Sequence, residues 1–165
     1  MGASITPEAI VFAARESVEM VEHGRMLDPR FDADGLIPVI IVDSPDGGIL
    51  MLGYMNAEAL RLTLATSEMH YWSRSRKVLW HKGERSGFVH RLVELRVDDD
   101  QDCLLARVAL EGPGSCHVGY RSCFYRAVIV RDLTPGQPVP LIQLEAAPAF
   151  DADAVYAGLS NPTRL

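Results

Sequence analysis

Apolar positions along this chain recur at two different periods, and the changes of period mark out its elements. Between residues 7 and 23, Ile10, Val11, Ala14, Val18 and Val21 stand at the spacing of one helix face, and His23-Gly24 offers a stop. Leu36 to Val42 is a β-branched apolar run that predicts a strand. Ser44-Pro45-Asp46-Gly47-Gly48 predicts a hairpin turn into a second strand, Ile49 to Tyr54. Asn56 is placed to cap a short helix, Ala57 to Ala65, with Leu60 and Leu64 inward. Further strands are expected at His70 to Ser73, Val89 to Val97, Leu104 to Leu110 and Tyr125 to Val130, although Leu92, Leu95 and Val97 alternate only in part. Past Arg131 the chain turns to proline and alanine, with Pro135, Pro138, Pro140 and Pro148. There is no internal repeat and no second core. The pattern describes the α+β class, a β-rich single domain with a few short helices. It divides into an N-terminal extension over 1–30 expected to be helical, a central domain over 31–131 and a Pro/Ala-rich extension over 132–165.

Composition narrows what such a domain does. With 165 residues, 48% of them hydrophobic, the chain can bury a real core. No apolar run approaches the roughly 18 residues that cross a bilayer, and Glu8, Arg15, Glu16 and Glu19 interrupt any signal-peptide core. A cytoplasmic protein with no membrane partner is expected. A net charge of −6 gives nucleic acid no general footprint, so no nucleic-acid partner is expected. The charge is uneven. Arg74, Arg76, Lys77, Lys82 and Arg85 fall within twelve residues, and Asp98, Asp99, Asp100 and Asp102 follow. Such clusters suit an anionic ligand and a cation; the plainer alternative is two solvated faces. The three cysteines, Cys103, Cys116 and Cys123, are an odd number within twenty-one residues, which fits metal binding or burial better than a disulfide framework.

Three stretches hold groups that do chemistry. In Cys116-His117-Val118-Gly119-Tyr120-Arg121-Ser122-Cys123, two thiols bracket a glycine and can close a loop with both sulfurs on one zinc ion, or can simply be buried. His117, beside one of those thiols, suits proton transfer better than ligation. In Asp98-Asp99-Asp100-Gln101-Asp102, four carboxylates in five residues repel one another unless a cation relieves them or water solvates them. If this segment is extended, Asp98, Asp100 and Asp102 face one way, and Asp99 and Cys103 the other. Alternate residues on a straight strand are about 6.6 Å apart, so three carboxylates meet one ion only if the backbone curls. From Trp72 to Gly87, guanidinium forks, hydroxyls and glycine-backed amides suit phosphate oxygens, and Trp72 and Trp80 can stack a purine.

Together these blocks resemble the phosphoribosyl-AMP cyclohydrolase family. Its pattern runs W-S-R-S-R-x-x-L-W-x-K-G-x-x-S-G, then D-C-D-x-D, then C-H-x-G-x-x-S-C-F-Y-R. The counterparts here are Trp72 to Gly87, Asp98 to Asp102 and Cys116 to Arg126, with Gly35-Leu36-Ile37-Pro38 and Leu52 to Asn56 also matching. The resemblance covers roughly residues 30 to 130. It implies a homodimer with its sites at the subunit interface, hydrolysis of the adenine ring of phosphoribosyl-AMP in histidine biosynthesis, and Zn2+ and Mg2+ as cofactors. It implies zinc on Cys116 and Cys123, with a third ligand from the other subunit. That ligand is the cysteine of D-C-D, where this chain has Asp99; Asp99 is the preferred candidate and Cys103 the alternative. Asp98, Asp100 and Asp102 correspond to the magnesium triad and His117 to the proton-transfer group. Trp72, Ser73, Arg74, Ser75, Arg76, Trp80, Lys82, Ser86 and Gly87 correspond to the substrate contacts. A non-catalytic zinc module binding nucleotide or RNA is the competing reading. A bifunctional enzyme with the preceding pyrophosphohydrolase step needs a further helical domain.

Overall fold

The structure, a computed structural model, describes residues 5–163, and it begins with less helix than the apolar spacing predicts. In the segment read as one helix over 7–23, only a 3-10 turn at Pro7–Ala9 and a six-residue helix, α1 (Val18–His23), are helical. Ser17 caps α1 by accepting from the Met20 amide, and Gly24 ends it. The stretch before α1 is engaged elsewhere: the Ala13 amide donates to the Leu27 carbonyl, Arg61 donates to the Ile10 carbonyl, and Phe12 packs against the core. Helix propensity, worth at most about 0.7 kcal/mol per ordinary residue, yields to such tertiary partners.

The central strands follow the sequence closely. β1 (Ile37–Asp43) turns through residues 44–48 into β2 (Ile49–Met55). Asn56 then caps α2 (Ala57–Thr66) by accepting from the Ala59 amide. β3 (His70–Ser73) and β4 (Val78–His81) form a separate hairpin, and β5 (His90–Val97) and β6 (Leu104–Leu110) complete the main sheet. That sheet has the order β2-β1-β6-β5, with β1 and β6 parallel at its centre and the outer pairs antiparallel. The architecture is α+β, with mixed strand directions and few helices. Past β6, β7 (Arg126–Val128) pairs with β8 (Leu141–Gln143), and a single turn of helix, α3 (Ala152–Val155), follows.

The imperfect alternation in β5 has a physical cause. Register slips between Leu92 and Glu94, so Val93 is an extra residue, 59% exposed, and Leu92 and Leu95 both pack against the core although they stand an odd three positions apart. That core gathers Ile37, Val39 and Ile41, Leu50 and Met55, Leu104, Ala106 and Val108, with Leu60 of α2 and Tyr71 of β3. Burying each large apolar side chain contributes about 1.5–3 kcal/mol. Gly53 admits β3 to this packing, because a Cβ there would stand 2.8 Å from the Tyr71 ring. The β3–β4 hairpin is thereby seated on β2.

Candidate active site

The β3–β4 hairpin carries the basic block at its tip. Lys77, at φ 52°, closes the turn and donates its amide to the Ser73 carbonyl. Arg76 donates to the Ser73 hydroxyl at 3.1 Å, and the Arg74 guanidinium lies 3.8 Å from the centre of the Tyr54 ring. Tyr71 and Trp80 face each other across the register with ring centres 5.2 Å apart. This hairpin forms one side of a cavity of about 1140 Å³. Trp72, Ser73, Arg74, Ser75, Arg76, Trp80, Lys82 and Ser86 all line it, together with His117 and Cys123, whereas Gly87 does not.

The thiol loop closes on itself as its sequence suggests. Gly119 donates its amide to the Cys116 carbonyl, Cys116 donates to Tyr120, and Cys123 donates to Leu50 in β2. Glu145 accepts from the Arg121 and Ser122 amides and pins the loop from outside. The two thiols interact as neighbours, which pulls Cys116 down to about 6 and pushes Cys123 up. Cys116 is buried and Cys123 is exposed, so the pair opens to the surface. The Nε2 atom of His117 is buried without a hydrogen-bond partner among the described residues, and burial lowers that ring's pKa.

Behind the thiols lies a buried polar chain that the sequence does not announce. The Tyr71 hydroxyl meets His90 Nδ1 at 3.1 Å, and His90 Nε2 meets the Ser115 hydroxyl at 3.0 Å. Lys82 donates to the Ser115 carbonyl at 2.7 Å. Lys82, read from sequence as a phosphate contact, is only 5% exposed, and its ammonium serves the thiol loop as well as the cavity. Burial lowers its pKa, and the sulfurs raise it.

His90 gives the fold a measurable pH dependence. Burial, helped by the Lys82 charge, depresses it from near 6.5 to about 3. Between these values the unfolded chain binds a proton that the folded chain refuses. Stability is therefore full above pH 6.5 and falls as pH drops toward 3, by about 1.4 kcal/mol per unit. Urea unfolding from pH 7 to pH 4 should show His90→Gln to be less stable at neutral pH but flatter toward acid. An equal acid slope in both proteins contradicts this role.

The acidic segment is a turn between β5 and β6, not a strand, which corrects the two-face reading of Asp98 to Cys103. Asp98 accepts the amides of Asp102 and Cys103, and Gln101 sits at φ 57°. This curl brings carboxylate oxygens of Asp98, Asp100 and Asp102 within 4.8 Å of one another, a spacing no straight strand allows. Burial and its two acidic neighbours raise the Asp102 pKa. The N-terminal extension holds the curl: Gln101 is buried and accepts from Asp28, Arg15 reaches Asp28 and the Asp100 carbonyl, and Arg30 pairs with Asp100 and Asp102. These supports were illegible because the turn and the N-terminal groups that hold it lie seventy or more residues apart.

Among the described residues, this triad is the one group of three or more metal-ligating side chains within such range. Neither Asp99 nor Cys103 joins Cys116 and Cys123 in the same chain, and neither lines the cavity. Asp99 is exposed and makes no side-chain hydrogen bond or ion pair among the described residues. The Cys103 thiol points to the Leu104 carbonyl at 3.7 Å, and burial raises its pKa.

A family profile described as phosphoribosyl-AMP cyclohydrolase matches residues 51–125. A phosphoribosyl-AMP cyclohydrolase of Brucella canis is 55% identical over 121 residues, covering 72% of this chain and 87% of that protein. The chain belongs to the phosphoribosyl-AMP cyclohydrolase family. A relative of the same name from Rhodopseudomonas palustris is 46% identical over 144 residues, covering 87% of this chain and 95% of that protein. The family match contains the basic hairpin, the acidic turn and the thiol loop up to Tyr125. It leaves out the N-terminal residues that brace the turn and the segment from β7 onward. Among the described residues, no helix is long and apolar enough to cross a membrane.

Proposed function

We propose that this chain is a cytoplasmic, metal-dependent cyclohydrolase. It opens the adenine ring of 1-(5-phosphoribosyl)-AMP between nitrogen 1 and carbon 6, giving the formimino-carboxamide ribonucleotide in the third step of histidine biosynthesis. The observation that carries the reading is convergence: an exposed thiol beside a second sulfur, an imidazole nitrogen unpartnered among the described residues and a guanidinium-bearing hairpin meet at one cavity. The donor set suits zinc, since two soft sulfurs lie together beside a buried ammonium that favours their negative charge. Zinc held there would supply a Lewis acid that lowers the pKa of a water toward about 7. Two protein ligands are too few for a closed structural site, which needs four and would favour a non-catalytic module. The third is proposed to be Asp99 from a second copy, in a homodimer.

The chain's own groups then divide the work. Arg74, Arg76 and Arg85 present cations where substrate phosphates enter, and Trp72 can stack on the purine, whereas Trp80 lies on the other hairpin face beside Tyr71. His117 moves a proton between water and ring nitrogen 1 as the bond to carbon 6 breaks. The curled triad suits magnesium, because its three oxygens repel one another and Arg30 compensates them only from one side. Arg74→Ala is expected to raise the Michaelis constant, since one charge-assisted contact is worth about 1.5–3 kcal/mol, roughly ten- to a hundred-fold in kcat/KM. Unchanged efficiency would place Arg74 outside the substrate site. The function itself is tested by incubating the purified protein with phosphoribosyl-AMP and following the ring-opened product. Failure to form product with both metals supplied contradicts the reading.

A further inference from the structure

We propose that the C-terminal arm, residues 150–162, is a wall of the substrate pocket. In it Tyr156 and Asn161 contact the purine and ribose part of the ligand and set affinity and specificity, an inference that rests on the cavity being the phosphoribosyl-AMP site. The arm lies beyond the residues the family profile matches, and its Pro/Ala-rich approach reads from sequence as a mere extension. Yet Ala152, Asp153, Tyr156 and the run from Ala157 to Pro162 line the same cavity as Arg74, Lys82, His117 and Cys123.

The arm is fastened to the thiol loop. The Ala149 and Phe150 amides both donate to the Gly119 carbonyl. Gly119, at φ 98°, leaves space for this approach, because a Cβ there would stand 2.7 Å from the Phe150 carbonyl oxygen. Phe150 packs edge-on against Phe88 at 5.0 Å and against Tyr156 at 6.3 Å between ring centres. Tyr156 is thus held half-buried, and it lines the cavity together with Ser86 of the basic block and Cys123. Asn161 lines the cavity together with His117. These neighbours are the groups that the proposed reaction uses, and they meet the arm across the cavity.

Charge decides which part of the ligand the arm meets. Residues 150–162 contain no lysine or arginine and two aspartates, Asp151 and Asp153. Asp151 is occupied in capping α3, while Asp153 faces the cavity. The opposite side offers Arg74, Arg76, Lys82 and Arg85. Phosphates are drawn to the basic side and repelled by Asp153. The hydroxyl of Tyr156, the carboxamide of Asn161 and the Asp153 carboxylate are left for ribose hydroxyls and purine edge nitrogens. A phenol ring also covers a base face at low entropic cost.

The test compares Tyr156→Ala, Tyr156→Phe and Asn161→Ala with the intact protein. Each is assayed for kcat and KM on phosphoribosyl-AMP, for zinc content, and for binding of AMP and of ribose 5-phosphate, read by tryptophan fluorescence or calorimetry. Tyr156→Ala is expected to raise KM and weaken AMP about ten-fold, the scale of one lost hydrogen bond plus its ring contact. Zinc content, melting temperature and ribose 5-phosphate affinity should stay unchanged. Tyr156→Phe should recover the part of the AMP affinity owed to the ring, and Asn161→Ala should weaken AMP in the same selective manner. Variants that bind AMP as the intact protein does overturn the proposal, as do variants that lose AMP and ribose 5-phosphate equally. If the intact protein fails to turn over phosphoribosyl-AMP, the proposed function falls, while the AMP comparison still decides the arm.

Discussion

Exchanging either thiol for a hydroxyl, Cys116→Ser or Cys123→Ser, is expected to remove zinc and turnover together. A four-ligand zinc site is worth roughly 10–16 kcal/mol, so one ligand carries on the order of 2.5–4 kcal/mol if the ligands share it evenly. Loss of one should weaken zinc by about a hundred- to a thousand-fold. Cys116→Ser has a second consequence, because it places a hydroxyl where the parent buries a thiol. Cys123→Ser leaves the buried framework intact, since that residue is exposed and its amide still reaches the Leu50 carbonyl. The Cys123 variant should therefore melt near the parent temperature when both are metal-free, yet bind no stoichiometric zinc. Retention of full zinc and full turnover by either variant contradicts the site.

The next largest effect concerns the third ligand. Asp99→Ala is expected to lower zinc affinity and activity sharply, whereas Cys103→Ala should be tolerated. The turn leaves the Asp99 carboxylate exposed and unpaired among the described residues, free for a second molecule. The Cys103 thiol is half-buried, bonded to the Leu104 carbonyl and harder to deprotonate than usual. Asp99→Cys should tighten zinc and leave a working, slower enzyme. Because Asp99 does not reach the sulfurs of its own chain, the proposed third ligand would have to come from a second copy. Mixing Asp99→Ala with Cys116→Ser subunits should then restore about a quarter of the parent activity: half the dimers are mixed, and each mixed dimer has one intact site of two. If Cys103→Ala loses the metal and Asp99→Ala keeps it, the thiolate has moved along the turn. Absence of any rescue argues for a site within one chain.

What the sequence reveals and what it conceals follow from the range of the forces involved. The β1–β2 hairpin, the Asn56 cap and α2 are legible because turn chemistry and capping act over five or fewer residues. The 7–23 helix failed because Ala13, Arg15 and Phe12 take partners far along the chain, and distant partners leave no periodic trace. β4 was hidden inside the basic block, whose turn is closed by Lys77 in a left-handed conformation without a glycine to signal it. In the site, the thiols, His117 and the hairpin were visible as motifs, and the structure brings Cys123, His117 and the hairpin to one cavity. The Tyr71–His90–Ser115–Lys82 chain was not visible, because each link joins side chains from different elements. The acidic triad shows both outcomes. Its carboxylates were plain in the sequence, but the curl that unites them depends on Gln101 and the remote N-terminal segment.

Metal dependence of the ring-opening reaction tests the central claim most directly. The protein should be stripped with chelator, shown free of zinc, and assayed on phosphoribosyl-AMP while zinc is restored in steps with magnesium held constant. The account predicts no measurable product from the stripped protein, recovery that saturates at one zinc per chain, and no recovery with magnesium alone. Full turnover by the stripped protein, or its return with magnesium alone, would contradict the account.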